Sequence, residues 1–493
     1  YELAAKYALY AEQAYQTTTQ IFSVAPTKTS IVIQDSSDLA NGFAMGIPYA
    51  QITSYPVLPS ALDIIGDYQD WGYELLAHEY THILNFEPTE GWFKPLRYIF
   101  GSIIKPNMLL PNWYLEGLAV YTETRLSRGG RLRSPNYLAI ARAMTRDNRL
   151  FEQTLALDNE IDTPDYPGGN RPYIFGSLLW RELMSSSATN GELINKLNLS
   201  YGGHLPFLVD GPLIDHAGRG WDDQWSMTFE ALEKKSLAEI DTIKKASPFQ
   251  GRKLDQVGFY NHSPSISAAG KRMLFVSRTH NEDSRIEIFE RTTPQTPLAT
   301  LKAMRVLSTN FTHRASWEPT AKSFVYDNID TYDRYYAYSD LYRYDIDTKK
   351  IMAITRGARA TEPAVSPDGQ WIAFVQNYTG GTRLAIVKRD GTDLHTLYDP
   401  GIQQRVSWPE FIANDEIIFS ERQASATAAP AATGKPVVTD VLKKIKITDE
   451  KPKTVLEQFA NIRFAKNTRE GILFTSSDSG VTNIYLSSAD FSK

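Results

Sequence analysis

The sequence predicts a multidomain protein in which an α+β domain precedes an all-β propeller. Three observations support this prediction. The 493 residues are too many for one hydrophobic core. Apolar residues recur at helical spacing up to residue 246. Beyond residue 252, similar segments begin roughly every 45–55 residues, the period of a four-stranded propeller blade. We therefore assign residues 1–246 to the first domain, 247–262 to a linker and 263–493 to the propeller.

The first domain is predicted to mix helices with a small amount of strand. Residues 1–22 carry Leu, Ala and Tyr at helical spacing, and residues 29–35 form a β-branched run that is typical of a strand. Residues 67–86 form the next helix, with Asp67 or Asp70 as its N-cap. Further helices are predicted at 113–126, 134–146, 170–185 and 222–246.

Composition excludes several classes of function. The net charge of −5 and the pI near 6.0 argue against a nucleic-acid surface. The absence of cysteine excludes disulfides, thiol catalysis and cysteine-ligated zinc, and it suits an oxidising compartment such as a bacterial periplasm. No apolar run reaches about 18 residues, so no transmembrane helix is predicted. The chain begins with Tyr rather than Met, as expected of a mature or trimmed fragment.

The segment "LLAHEYTHIL" (75–84) places two of the eight histidines four positions apart. Residues i and i+4 share one helix face, so His78 and His82 can each place a ring nitrogen about 2.0–2.1 Å from one zinc ion. Glu79 points to the adjacent side, where it can reach a water on the metal. The alternative is a buried helix with two hydrogen-bonded histidines, because this pattern also occurs by chance.

A third ligand is available in "PNWYLEGLAVYTET" (111–124), where Glu116 stands in a W-x-x-E-G-x-A context. Together with H-E-x-x-H, this segment resembles the gluzincin (peptidase MA-like) clan, which includes thermolysin-like and aminopeptidase-N-like enzymes. The resemblance covers residues 1–246 and implies an α+β gluzincin-like catalytic domain. It further implies one Zn²⁺ per chain, bound by His78, His82 and Glu116, with Glu79 as the general base that activates the zinc-bound water.

Glu123 lies seven residues beyond Glu116, two helical turns on and on the same face. We predict that it accepts a hydrogen bond from the second nitrogen of a histidine ligand, as zinc histidines usually require. The alternative is a solvated surface carboxylate.

Two further segments resemble parts of gluzincin active sites. The segment "NRPYIFGSLLWREL" (170–183) resembles the Y-x-x-G helix start of aminopeptidase-N-like enzymes, which makes Tyr173 the candidate oxyanion donor. The segment "NGFAMGIPYAQI" (41–52) resembles the edge strand that lies beside the substrate. It lacks the glutamate with which aminopeptidases hold a free amine, and this favours an endopeptidase. The predicted substrate-pairing residues are Asn41, Gly42, Phe43 and Ala44.

The interval of 34 residues between His82 and Glu116 is longer than in the best-known gluzincins. The inserted residues are rich in Trp, Phe, Ile and Leu, and packing against the core is the expected outcome. Two alternatives stay open. The insert can form a helical lid over the cleft, or residues 87–110 can contact a membrane or a partner, with Lys94 and Arg97 at the interface.

The second half contains five related segments, each predicted to form a strand, a tight turn and an apolar strand. Their ranges are 263–278, 314–328, 362–377, 405–422 and 461–478. Ser366–Gly369 and Ile372–Phe374 resemble the TolB-type (WD40-like, PD40) propeller repeat. Five blades are visible and the last is short of strands. Either the native chain continues further, or residues 252–262 complete a closed ring. Residues 424–438, rich in Ala, Thr and Pro, are predicted to form a loop within a blade.

These observations favour a zinc-dependent metallopeptidase, an endopeptidase acting on peptide or protein substrates, whose propeller gates substrate or docks a protein partner. One alternative is a propeller-based binding or scaffold protein with a vestigial peptidase domain. Another is a gluzincin hydrolase that acts on a non-peptide bond. TolB-like repeats beside a peptidase resemble exported bacterial proteins, so the expected location is the periplasm or cell envelope. The histidines at 204 and 216 receive no role.

Overall fold

The computed structural model describes residues 1–153, 166–186, 191–246, 260–279, 283–291, 293, 296, 303–423 and 439–492. The chain divides into two compact units. Unit 1 comprises Tyr1–Gln34, Asn41–Ser54 and Asp67–Phe249, and unit 2 comprises Asp35–Ala40, Tyr55–Gly66 and Gln250–Lys493. The predicted first domain, residues 1–246, therefore includes two short segments, 35–40 and 55–66, that belong to unit 2. Of the predicted linker, residues 247–259 lie outside the described residues, and 260–262 already belong to a strand.

Unit 1 is mainly helical. Its described α-helices are α1 Glu2–Thr18, α2 Trp71–Phe86, α3 Phe93–Phe100, α4 Asn112–Leu126, α5 Pro135–Arg146, α6 Arg171–Ser186, α7 Glu192–Tyr201, α8 Asp210–Ala217 and α9 Trp221–Ala246. The predicted helices correspond to α1, α2, α4, α5, α6 and α9, while α3, α7 and α8 were not assigned from the sequence. Within the described residues, no helix is both long and apolar enough to cross a bilayer.

Three short strands form the only sheet found among the described residues of unit 1. They are β1 Ser30–Ile33, β2 Gly42–Met45 and β3 Gln51–Ser54. The order is β1-β3-β2, with β1 parallel and β2 antiparallel to β3. β2 is therefore an edge strand, as the segment 41–52 was predicted to be.

Helix α2 is the central helix of unit 1, because every residue in it except Tyr73 is buried. Asp70 occupies the N-cap position, but its side chain makes no capping hydrogen bond. Glu74 replaces it: its Oε1 accepts from the backbone N–H of Gln69 at 2.9 Å and of Asp70 at 3.4 Å. A helix buried on all sides must pair its polar side chains, and this requirement shapes the site described below.

An aromatic cluster joins α4, α6 and α9. Trp113 of α4 lies edge-on to Trp221 and Trp225 of α9, with ring centroids 4.9 and 5.5 Å apart. Tyr114 meets Trp180 of α6 at 5.0 Å. All five rings are buried. Edge-to-face contacts of this kind add to the hydrophobic gain of burying large rings, so they fix the three helices together.

The described residues of unit 2 form five antiparallel sheets that follow one another along the chain. The sheets comprise, in order, β4 Tyr260–Ile266, β5 Arg272–Arg278, β6 Arg285–Glu290 and β7 Met304–Ser308; β8 Ala315–Trp317, β9 Ser323–Tyr332, β10 Tyr336–Asp345 and β11 Ile351–Ala353; β12 Ala360–Val365, β13 Trp371–Tyr378, β14 Gly381–Lys388 and β15 His395–Tyr398; β16 Val406–Phe411, β17 Glu416–Gln423, β18 Thr439–Lys446 and β19 Lys453–Leu456; and β20 Arg463–Thr468, β21 Gly471–Ser476 and β22 Asn483–Ser487.

Each sequence repeat supplies the first two strands of one sheet, and successive sheets pack face to face through apolar side chains. For example, Val325 and Leu341 of the second sheet pack on Ile372 and Phe374 of the third. This arrangement is that of an all-β propeller-like part. The last sheet has three strands within the described residues, and Tyr260–His262 pair with β5 of the first sheet rather than completing the last. The predicted loop 424–438 lies outside the described residues.

The turn between β12 and β13 explains the Ser-Pro-Asp-Gly motif. Ser366 Oγ donates to Asp368 Oδ1 at 2.6 Å and accepts from the backbone N–H of Trp371 at 2.9 Å. Gly369 has φ of +73°, a conformation that glycine adopts without steric cost. The motif therefore encodes a self-bonded tight turn.

Residues 55–66 are held inside unit 2 by a buried group of ions. Arg405 and Arg422 both donate to the carbonyl oxygen of Gly66, at 3.0 and 3.1 Å. Both guanidiniums also bond to Asp440, which in addition pairs with Arg463. Asp440 is fully buried, so one carboxylate compensates three arginines. Burial would raise the pKa of Asp440, but these arginines hold it well below its usual range.

We predict that Asp440→Asn destabilises the protein by about 3–5 kcal/mol, because it leaves buried guanidiniums without a counter-charge. Since the folded-state pKa is depressed, the stabilisation by Asp440 is present at neutral pH and is lost as the pH falls towards that pKa. Urea unfolding measures the loss. Asp449→Asn, at an exposed turn, is the control; an equal loss in both variants would contradict the role assigned to Asp440.

Candidate metal centre

Three side chains predicted as zinc ligands converge in unit 1. His78 Nε2, His82 Nε2 and Glu116 Oε2 are each 3.3 Å from the other two. Ligands about 2.0–2.1 Å from a tetrahedral zinc ion are separated by roughly 3.3–3.4 Å, so the three atoms form one face of such a tetrahedron. Among the residues that the structure describes, this is the one group of His, Asp and Glu able to hold a metal ion. Its nitrogen-rich donor set suits zinc better than calcium or magnesium.

Helix packing accounts for this convergence. The i, i+4 spacing puts both histidines on one face of α2, and α4 brings Glu116 opposite them. The position of α4 depends on its contact with α6 at Gly117 and Gly176. A Cβ on Gly117 would lie 2.4 Å from the backbone of Gly176, and a Cβ on Gly176 would lie 2.2 Å from the carbonyl oxygen of Trp113. Only glycine permits this approach, which explains the glycines of the W-x-x-E-G and Y-x-x-G segments.

Glu123 holds the second nitrogen of His78, as the sequence predicts. His78 Nδ1 lies 2.9 Å from Glu123 Oε2, and both side chains are buried. This contact directs the opposite nitrogen, Nε2, towards His82 and Glu116.

Arg131 completes this arrangement, and the sequence did not identify it. Its Nε and Nη2 donate to the two oxygens of Glu123 at 2.9 and 2.7 Å, and Nη2 also lies 2.7 Å from His78 Nδ1. Glu74 anchors the turn before Arg131 by accepting from the N–H of Gly130 at 3.0 Å. The sequence around Arg131, which follows Gly129 and Gly130, matches no known motif. Its pairing with Glu123 is therefore evident only from the structure.

The charges of the site are strongly coupled in the metal-free chain. Burial and Arg131 lower the pKa of His78, but hydrogen bonds to Glu116 and Glu123 outweigh them and raise it to about 9. Burial raises the pKa of Glu116, yet the two histidines hold it well below its usual range. For Glu123, burial is outweighed by Arg131, which lowers the pKa to about 2. Glu116 and Glu123 are thus ionised, and His78 binds a proton at the place where a metal cation would bind.

Glu79, the predicted general base, is buried beside the triad. Burial raises its pKa, and the neighbouring His78 and His82 only partly oppose this. Within the described part of the chain its carboxylate makes no side-chain hydrogen bond. A carboxylate with a raised pKa and no side-chain hydrogen bond is suited to accept and return a proton.

Tyr173, the predicted oxyanion donor, lies at the first turn of α6 against the same site. Its ring stacks on that of His78, with centroids 6.3 Å apart, and the Arg131 guanidinium lies 5.3 Å from its centroid. Burial raises the pKa of Tyr173, so the hydroxyl keeps its proton. No hydroxyl hydrogen bond links Tyr173 to another described residue, which leaves it available as a donor.

The predicted substrate strand corresponds to β2 and the residue before it. Gly42 packs directly on α2: a Cβ there would lie 2.9 Å from Leu75 Cδ1. Phe43 and Ala44 pair on one side with Thr53 and Ile52 of β3. The other side of β2 pairs with no described strand. His204 and His216, to which no role was given, are not in the metal-ligand group.

Comparison with known proteins gives limited similarity. No protein-family model matches the chain. An uncharacterised protein of Agrobacterium fabrum is 30% identical over 115 residues, which are 23% of this chain and 37% of that relative. The chain thus spans little more than a third of the curated relative that it matches.

Among solved structures, TolB from Acinetobacter baumannii is 13% identical, with 46% of this chain and 54% of that chain covered at a TM-score of 0.32. A puromycin-hydrolyzing peptidase of Mycobacterium tuberculosis is 12% identical, with 46% and 35% covered at a TM-score of 0.31. At these TM-scores the similarities do not decide the function.

We predict that the metal-free chain takes up one Zn²⁺, measured by calorimetry with a competing chelator. His82→Ala should weaken binding by at least about 100-fold, since it removes a ligand rather than a supporting residue. Because His78 has a pKa of about 9 without metal, zinc must displace a proton, and affinity should rise with pH up to about 9. His216→Ala is the control; a similar loss there, or zinc bound equally by His82→Ala, would refute the site.

Proposed function

We propose that the protein is a zinc-dependent metallopeptidase, acting as an endopeptidase on peptide or protein substrates. The observation that carries this proposal is the equal 3.3 Å spacing of His78 Nε2, His82 Nε2 and Glu116 Oε2. These atoms would hold the metal. Zinc bound there would polarise the substrate carbonyl and make an attacking water more acidic.

The chain's own residues would perform the proton transfers and the positioning. Glu79 would take a proton from the attacking water and return it to the leaving amine. The Tyr173 hydroxyl would donate a hydrogen bond to the oxygen that becomes negative as the scissile carbonyl is attacked. Glu123, itself held by Arg131, would keep the ring of His78 in its binding orientation.

Substrate would bind as an added strand. The free side of β2 offers main-chain donors and acceptors to an extended peptide, with α2 packed behind Gly42. Residues 41–52 contain no glutamate to hold a free amine, which favours cleavage within a chain. We further propose that the propeller-like part gates substrate or docks a protein partner, and that the protein works in the bacterial periplasm or cell envelope.

The first test is an unbiased cleavage profile over a peptide library. The wild type should cleave internal bonds, and Glu79→Gln, which removes the base but keeps the ligands, should be slower by at least about 100-fold. Both proteins should bind one zinc. Equal rates would end the role of Glu79. Absence of cleavage by both, with zinc bound, would favour the scaffold protein with a vestigial peptidase domain.

The second test concerns Tyr173. Tyr173→Phe should lower kcat by about 100-fold or more while KM changes little, because an oxyanion donor acts mainly in the transition state. Steady-state kinetics on one peptide measures both constants. Tyr121→Phe, on a partly buried tyrosine of α4, is the matched control. An unchanged kcat would remove Tyr173 from the proposed mechanism.

A further inference from the structure

Helix α3, within the long insert, turns a charged side chain towards the protein and apolar side chains towards solvent. Arg97 points towards the protein, where its guanidinium bonds to Glu87 and to Thr89 Oγ1. Trp92, just before the helix, and Leu96 are exposed to solvent. A helix on a water-facing surface normally buries its apolar side and exposes its charges. Residues 105–107 and 110 of the insert are buried, as packing against the core predicts, but no residue of α3 is buried. The exposed apolar side of α3 is therefore suited to contact an apolar medium.

The exposed apolar residues of this segment form a group that we call the α3 face. Residues 92, 96, 99 and 100 recur at i, i+4, i+7 and i+8, which places them along one side of α3. Ile103 follows in the short 3-10 turn Gly101–Ile103, after the helix ends at Phe100. Trp92 is 87% exposed and Ile99 is 69% exposed, and no residue of α3 is buried. The members of the α3 face are Trp92, Leu96, Ile99, Phe100 and Ile103.

A second apolar loop adjoins the α3 face. The N–H of Glu90 donates to the carbonyl oxygen of Gly202 at 2.8 Å, which places the chain after Gly202 beside the start of the insert. That chain exposes Leu205, Phe207 and Leu208, and Phe207 is 84% exposed. Single exposed apolar residues are ordinary, but two adjoining groups of this size mark an interaction surface.

The charge and the residue types of the α3 face indicate that it contacts a membrane surface. The insert 87–110 contains three basic and two acidic side chains, a net charge of +1 in a chain whose net charge is −5. Glu87 pairs with Arg97 and Lys105, and Glu90 forms an exposed pair with Lys94. Lys94 is exposed on the flank of α3, and Tyr98, 93% exposed, lies near it. Tryptophan and tyrosine are the residues enriched at membrane–water interfaces, and basic residues beside them attract anionic headgroups.

We propose that the α3 face, with the adjoining loop 205–208, inserts into the headgroup region of an anionic phospholipid bilayer and holds the protein on that surface. The helix would lie parallel to the membrane with its apolar side inward and Lys94 among the headgroups. Arg97 would keep its hydrogen bonds to Glu87 and Thr89, which attach the helix to the rest of the protein. This proposal does not depend on the metal centre.

Flotation of the full chain with vesicles tests it. Wild type should float with vesicles of phosphatidylcholine plus phosphatidylglycerol and much less with phosphatidylcholine alone. Ile99→Ser combined with Phe100→Ser should weaken binding by at least about tenfold, because two inserting side chains lose their apolar contact. Lys94→Glu should weaken binding to the anionic vesicles by about fivefold or more.

The matched control is Ile214→Ser combined with Leu237→Ser, on exposed apolar residues of α8 and α9, and it should bind like wild type. An unchanged thermal unfolding midpoint, measured by circular dichroism, confirms that each variant is folded, and failure here leaves the peptidase proposal intact. Absence of wild-type flotation, equal flotation on neutral vesicles, or equal losses in both double variants would overturn the proposal. So would a dimer, detected by light scattering and abolished by the α3 variant, without vesicle binding, since the occupant would then be a second copy.

Discussion

The candidate metal centre depends on a contact between two backbones. Helices α4 and α6 touch at Gly117 and Gly176, closer than any side chain allows. One residue before the first glycine stands Glu116, and one turn before the second stands Tyr173. The contact thus places a candidate metal ligand and a candidate hydroxyl donor beside the two histidines of α2. The packing of Trp113 on Trp221 and of Tyr114 on Trp180 stabilises this contact. Spacing along each helix sets which residues share a face, and the close approach of Gly117 to Gly176 sets the distance between the two helices.

Buried charge is the second constraint. Burying a carboxylate is costly unless a cation or several hydrogen-bond donors compensate it. Arg131 compensates Glu123, and backbone N–H groups around Gly130 and Gln69 serve Glu74. Glu116 has two imidazoles as its partners. The ionised Glu116 and Glu123 are thus balanced by Arg131 and by the proton on His78, and a bound dication would replace that proton.

Sequence motifs named most residues of the candidate site and much of the propeller-like part. Helical spacing paired His78 with His82 and placed Glu123 two turns beyond Glu116, and the resemblance to gluzincin segments pointed to Glu116 and Tyr173. The repeats predicted the first two strands of each sheet in unit 2. Contacts that join distant residues were missed. Arg131 resembles any other arginine in the sequence. Residues 35–40 and 55–66 were assigned to the first domain with the rest of 1–246. Both segments belong to unit 2, where Asp38 bonds to Arg359, 321 positions away. Sequence periodicity cannot identify Arg359 as the partner of Asp38, because only the folded chain brings the two residues together.

The threading of residues 55–66 into unit 2 bears on the order in which the protein assembles on the ribosome. Gly66 is translated early, but the arginines that bind its carbonyl follow 339 and 356 residues later. The helical half therefore emerges with a loop whose final neighbours do not yet exist. The second half expressed alone would lack Gly66, so Arg405 and Arg422 would lose that acceptor. Unit 2 is therefore complete only when both halves of the chain are present.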